Sequence, residues 1–221
     1  MGRARVPSRW PLIADDLFRV AHDDWGRLRL HADVVGAALG AAVLAELVLE
    51  GFATTVDGMV AAHPDGEPVD PFAATVLRLI RAERRAWSVR DWMRYLTSGT
   101  MPGGDSYEQV TRRLALAGHL HTKRKGVFRR KLRCTPVDVN AAAWPWVRLS
   151  RAAHSQERLD SADTVLAGLI LATDLHRKVL TGAAGDLEDW LRSNVDDVRV
   201  DLRDLLYQAE TAVAAAVTTG A

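Results

Sequence analysis

The feature that most constrains the fold is a run of twelve residues with no charged or strongly polar side chain, Val34 to Ala45, inside a proline-free stretch 32–50 rich in alanine and leucine. Such a stretch has no polar face to offer water, so it predicts a central helix packed on all sides, stopped by Gly51 at its C-terminal cap. Twelve apolar residues fall short of the ~20 that a membrane-spanning helix requires, and the small side chains suit close packing within a protein. With 221 residues, 48% of them hydrophobic and 26% charged, the chain has the material for one domain with a large core.

The rest reads as mostly helical. Helices are expected over 13–22, with Asp15 and Asp16 in a first turn that favours negative charge, over 72–85, from a Ser88 cap to about Leu96, over 107–117 behind a cap at Ser106 or Asp105, and over 163–180 and 187–217. Residues 27–31 alternate and predict a short strand. Asp57-Gly58 between two apolar runs predicts a short hairpin over 52–62. The seven tryptophans, Trp144-Pro145-Trp146 included, are expected to be core and packing residues.

Charge is distributed unevenly. Between Glu108 and Asp138 there is no acidic residue, yet Arg112, Arg113, Lys123, Arg124, Lys125, Arg129, Arg130, Lys131 and Arg133 all fall there, 9 of the 29 basic residues. The other 20 face all 28 acidic residues, so a net charge of +1 conceals a segment of +9 against a remainder of −8. From His119 the pattern predicts two strands joined near Lys125-Gly126, a β-hairpin with basic flanks and with Val127 and Phe128 near its tip. Edge protection needs one or two charges, not nine. Unopposed positive charge of this size points to a polyanion. A phospholipid surface is one candidate, and a nucleic acid met by a winged-helix-like unit of helix plus hairpin is the alternative.

Catalytic signatures are sparse. His22-Asp23-Asp24 has no preceding histidine to complete a metal shell and reads as helix capping and solvated charge, and His119 and His121 stand among arginines that would repel a cation. Cys134 lies in an electropositive stretch expected to lower its pKa. A single cysteine makes no internal disulfide and fits a reducing compartment. The N-terminal stretch shows neither a secretory signal nor a myristoylation motif.

One resemblance spans nearly the whole chain. Leu12-Ile-Ala-Asp-Asp-Leu-Phe-Arg-Val-Ala-His-Asp-Asp, then Gly26-Arg-Leu-Arg-Leu, then Ala37-Ala-Leu-Gly-Ala-Ala-Val-Leu-Ala-Glu-Leu-Val-Leu-Glu-Gly resembles the opening of the Golgi phosphoprotein 3 family in its bacterial-type members. The likeness continues through the helix containing Trp92, through Arg113-Leu-Ala-Leu-Ala-Gly-His-Leu and through the hairpin to Thr135-Pro136-Val137.

The resemblance implies a mainly α single domain over 11–221 behind a flexible N-terminal arm, 1–10, with a projecting basic β-hairpin and a second short hairpin. It further implies a non-enzymatic peripheral membrane protein that binds anionic phospholipid headgroups, with no cofactor, metal or small-molecule substrate, placed in the cytoplasm against the inner face of a membrane. Membrane proteins as partners and homo-oligomerisation through the hairpin are further expectations. Headgroup contacts are expected from Arg27, Arg29, Arg112, Arg113, Lys123, Arg124, Lys125, Arg129, Arg130, Lys131 and Arg133, and membrane insertion from Val127 and Phe128. Eukaryotic members bind phosphatidylinositol 4-phosphate through one tryptophan and three arginines. Counting along the matched segments puts His31, Gly40, Gly104 and Tyr107 at those places, so selectivity for that headgroup is not carried over.

Overall fold

The computed structural model describes residues 5–6, 12–125, 131–179 and 184–219. Among them are ten helices and three small sheets, a mainly α fold. In chain order the elements are β1 (Arg5–Val6), α1 (Ile13–Val20), α2 (Ala32–Leu49), β2 (Ala53–Val56), β3 (Met59–Ala62), β4 (Glu67–Pro68), α3 (Pro71–Ala82), β5 (Trp87–Ser88), α4 (Val89–Thr97) and α5 (Ser106–Leu116). They continue with β6 (Leu120–Lys125), β7 (Lys131–Pro136), α6 (Val139–His154), α7 (Ser161–Ala172), α8 (Leu175–Val179), α9 (Ala184–Asp196) and α10 (Val200–Thr219).

The apolar stretch is the hub. α2 is buried at every position from Val34 to Val48 and packs against α1, α3, α4, α5, α7 and α10. Its 18 residues and mean hydropathy of 1.9 would suit a membrane span, but 83% of that window lies inside the molecule. Glycine lets its neighbours approach. A Cβ on Gly40 would lie 3.4 Å from the Leu96 Cβ, and the carbonyl of Gly36 accepts from the Ser106 hydroxyl at 2.6 Å.

Side-chain caps fix where the surrounding helices begin. Asp70, Ser88, Asp105, Asp138 and Asp160 each accept a backbone N–H in the first turn of α3, α4, α5, α6 and α7. The expected 52–62 hairpin forms as β2 and β3 in the register Val56↔Met59, with β5 as a third strand. Three expectations are corrected. Residues 27–31 form no strand, only an isolated bridge from His22 to Leu28. The expected 163–180 helix is interrupted at Thr173 and Asp174, where Asp174 takes φ +54°, and the 187–217 helix begins earlier and breaks between Asp196 and Val200. In place of an unassigned stretch stands α6, 16 residues long with Pro145 inside it. At the N-terminus, β1 pairs in parallel with β4.

Candidate functional site

The basic segment folds as expected over its described part. α5 ends at Leu116, Gly118 with a φ of +75° turns the chain, and β6 and β7 then pair with Leu120 opposite Pro136 and Lys125 opposite Lys131. Alternation divides the ladder into two faces. Leu120 and Cys134 are buried and Leu132 packs on the core, so the face bearing Leu120, Leu132 and Cys134 holds the hairpin to the domain. The opposite face carries the pairs His121↔Thr135 and Lys123↔Arg133. Directly opposed like charges destabilise a strand pair, by a few tenths to ~1 kcal/mol. Here Lys123 faces Arg133, and the register repeats the opposition two residues on with Lys125 and Lys131. Val127, Phe128, Arg129 and Arg130 lie outside the described residues, and for Arg124, Lys125 and Lys131 only the backbone is described.

The chain brings Arg27 and Arg29 to the same place from a hundred residues away. Asp23 Oδ1 accepts the backbone N–H groups of Trp25 and Arg27 at 3.0 and 2.8 Å, bending 23–28 into a turn. That turn lies on the outer edge of β7, where the N–H of Cys134 donates to the Gly26 carbonyl at 3.4 Å. Only glycine fits at position 26. Its φ is +71°, and a Cβ there would stand 2.6 Å from the Cys134 carbonyl. Arg27 is exposed, while Arg29 is half-buried and its Nε donates to the His22 carbonyl at 3.1 Å.

Arg112 and Arg113 part company. Arg112 is exposed. Arg113 turns inward, donates from Nε and Nη2 to Asp15 Oδ1 at 2.9 and 2.6 Å, and sets Nη1 2.9 Å from Asp70 Oδ2. Its charge is answered twice, which corrects the expectation that it serves as a free headgroup ligand. Glu46 lies beside this cluster with Oε1 accepting from the Ala14 N–H at 2.9 Å, and burial pushes its pKa up to about 8. Asp15 is also raised, first by burial and against the pull of Arg113. Asp16, expected as a first-turn charge, is buried and bonds Arg19 at 2.8 Å and Arg148 at 3.0 Å.

His22, Tyr107 and Cys134 converge beneath the hairpin base. His22 Nδ1 meets the Phe18 carbonyl at 2.7 Å, its Nε2 lies 3.0 Å from the Tyr107 hydroxyl, and that hydroxyl is 3.7 Å from Cys134 Sγ. His22 is buried rather than solvated, and burial lowers its pKa to about 4. Burial raises Cys134, the reverse of the shift expected from its cationic sequence neighbours. Near neutral pH these groups are uncharged. They tie α1, α5 and β7 together and supply no activated nucleophile.

The positions matched to the eukaryotic headgroup pocket are dispersed. His31 is exposed at the N-cap of α2, whereas Gly40, about 13 Å further along the helix at 1.5 Å per residue, is buried against Leu96 and Met93. Gly104 sits in a turn at φ +99°, and Tyr107 is engaged with His22. The tryptophans also need correction. Trp92 is buried, but Trp25 and Trp144 are 71% and 53% exposed.

The family model described as Golgi phosphoprotein 3 (GPP34) matches residues 13–219, nearly the whole chain. No curated protein matches it.

Proposed function

The chain belongs to the Golgi phosphoprotein 3 family, and on that premise we propose that it is a non-enzymatic peripheral membrane protein that binds anionic phospholipid headgroups through the hairpin of β6 and β7. The observation that carries this reading is the register Lys123↔Arg133 and Lys125↔Lys131. A ladder that sets cation against cation loses stability in the free protein and recovers it when phosphates lie over it. Arg27 and Arg112, exposed and without an ion-pair partner among the described residues, extend the same positive field. At up to ~1 kcal/mol per cation near an anionic surface, charge supplies most of the affinity and makes it salt-sensitive.

Phosphatidylinositol 4-phosphate, the lipid bound by the eukaryotic members, binds here by charge rather than by a fitted pocket, because His31 and Gly40 supply neither indole nor guanidinium where those members have them. Burial raises the Cys134 thiol and leaves it no activated nucleophile, which supports a role without catalysis. Membrane proteins held against the same face would be its partners.

Sedimentation with vesicles tests the reading. Binding to vesicles rich in phosphatidylglycerol or cardiolipin is expected, falling steeply with added salt, with little binding to neutral phosphatidylcholine. Equal sedimentation with neutral and anionic vesicles overturns it, as does duplex DNA bound more tightly than the vesicles at near-physiological salt, which would assign helix and hairpin to the winged-helix alternative.

A further inference from the structure

The cationic hairpin is bordered by apolar surface that no part of the described chain covers. Trp25 and Trp144 stand 71% and 53% exposed, with Val137, Val139 and Val147 about half exposed beside Trp144 in sequence. An exposed indole is uncommon, since Trp is among the side chains that gain most from burial.

Their placement is coherent. Trp25 rides on the turn that Gly26 docks against β7. Val137 directly follows β7, held by its N–H bond to the His119 carbonyl at 3.0 Å. α6 then begins, and its two faces differ in an unusual sense. Pro145 and Leu149 are buried, and Arg148 Nε reaches Asp163 Oδ2 at 2.8 Å. The outward side presents Val139, Trp144 and Val147, followed by the exposed Arg151. A cleft of about 110 Å³ is lined by Asp23 and Asp24 beside Trp25, by Cys134 and Pro136 of β7, and by Ala142 and Ala143 beside Trp144. Turn and helix therefore border the same side of the hairpin base.

Charge selects the occupant. From Gln109 to Gln156 the one acidic residue is Asp138, whose carboxylate caps α6; beside Trp25, Asp23 is engaged in the turn and the exposed Asp24 is outnumbered by Arg27 and Arg29. An amphipathic helix with Trp and Val outward and with Arg151 one turn beyond Val147 on the same face, continuous with a cationic hairpin, has the composition of an element lying in the headgroup–acyl boundary of an anionic bilayer. The indole, apolar with one N–H donor, partitions to that boundary.

We propose that Trp25 and the outward face of α6 form a second membrane contact, seated in the interface of the same anionic bilayer that the hairpin meets. This rests on the reading of the hairpin as a lipid-binding element and adds to it a site built from residues that carry no net charge. The hairpin supplies long-range attraction, and the indoles supply the part of the affinity that survives added salt.

The full chain and the variants Trp25→Ser, Trp144→Ser and the double change are compared on phosphatidylglycerol-rich vesicles whose phosphatidylcholine carries bromine near the top of the acyl chains. Expected for the parent is quenching of tryptophan fluorescence on binding. Each single change lowers vesicle affinity roughly tenfold, and the double change abolishes the quenching while weak, salt-sensitive binding remains. Both side chains are exposed, so circular dichroism is expected to be unchanged. If the parent binds but is not quenched, and the double variant binds equally well, the second contact does not exist while the hairpin reading stands. A parent that fails to bind anionic vesicles removes both. A parent dimer in sedimentation equilibrium that becomes a monomer in the double variant, with vesicle affinity unaltered, assigns the patch to a second copy of the chain and overturns the proposal.

Discussion

The two antiparallel hairpins among the described residues, one with four-residue and one with six-residue strands, are opposite in construction. β2 and β3 pair small and apolar residues, gain β5 as a third strand, and are fastened to α10. Thr55 Oγ1 donates to the Asp201 carbonyl, the Gly58 N–H donates to Asp204 Oδ2 at 2.6 Å, and the Val89 N–H donates back to Gly58 at 2.9 Å. β6 and β7 have no third strand among the described residues. One edge is touched by the Gly26 turn, and the outward pairs set cation against cation. At the first turn the Gly58 N–H and carbonyl are both answered within the fold. The charges of the second are left for something outside it. The difference separates a hairpin that stabilises the domain from one whose composition makes sense only with a ligand.

Arg112 and Arg113 make the same distinction between neighbouring residues, and give the largest expected effect. Arg113→Ala leaves Asp15 and Asp70 facing each other without a counter-charge in a mostly buried site, so it should cost ~3–5 kcal/mol in chemical denaturation. Arg112→Ala should stay within about 0.5 kcal/mol of the parent. Comparable losses in the two would show that Arg113 is not the structural member of the pair.

Next in size is the fastening of the first hairpin. Asp204→Ala removes the acceptor of the Gly58 N–H and should cost ~1.5–3 kcal/mol of stability, with vesicle binding unchanged. A loss of vesicle binding with native circular dichroism would erase the division between the hairpins.

A third effect, shallow at any one pH and spread over several units, comes from the core. The folded pKa of Glu46, about 8, lies above its ordinary 4.5, so the folded state holds a proton that the unfolded state has released. Stability from this group is complete below about 4.5, declines as pH rises, and is gone above about 8, at up to ~1.4 kcal/mol per pH unit. Glu46→Gln should flatten that decline. His22 acts in the other direction. Its folded pKa, about 4, is below its ordinary 6.5, so its contribution is present above 6.5 and is lost as pH falls through 4. Urea midpoints at pH 5 and 8 that move in parallel for parent and Glu46→Gln would show that Glu46 is already ionised in the folded state.

Local signals explain what the sequence made legible. The enclosed helix announces itself by twelve apolar residues, the first hairpin by Asp57-Gly58, α4 by Ser88, and the second hairpin by alternation around Lys125-Gly126. What escaped depends on distance along the chain. The partners of Arg113 lie 98 and 43 residues away, so a basic segment without nearby acids concealed an arginine that was already neutralised. Pro145 disguised α6, because proline inside a helix removes a hydrogen bond and normally ends it. Here it sits buried in the second turn behind the Asp138 cap. Composition alone placed the tryptophans in the core. Which face of α6 turns outward is decided by the bonds of Arg148 to Asp163 and Asp16, and no periodicity in α6 reveals them.

The smallest stability change is also the most direct test. Lys123→Glu converts an opposed pair of cations into an ion pair with Arg133 on a surface strand. The central claim, that this ladder is kept cationic for an anionic membrane, predicts two opposite movements in one variant. Stability should rise by ~0.2–1 kcal/mol, and affinity for phosphatidylglycerol-rich vesicles should fall by up to ~2 kcal/mol, one attraction lost and one repulsion gained. A variant that is more stable and binds those vesicles as tightly as the parent would contradict the claim.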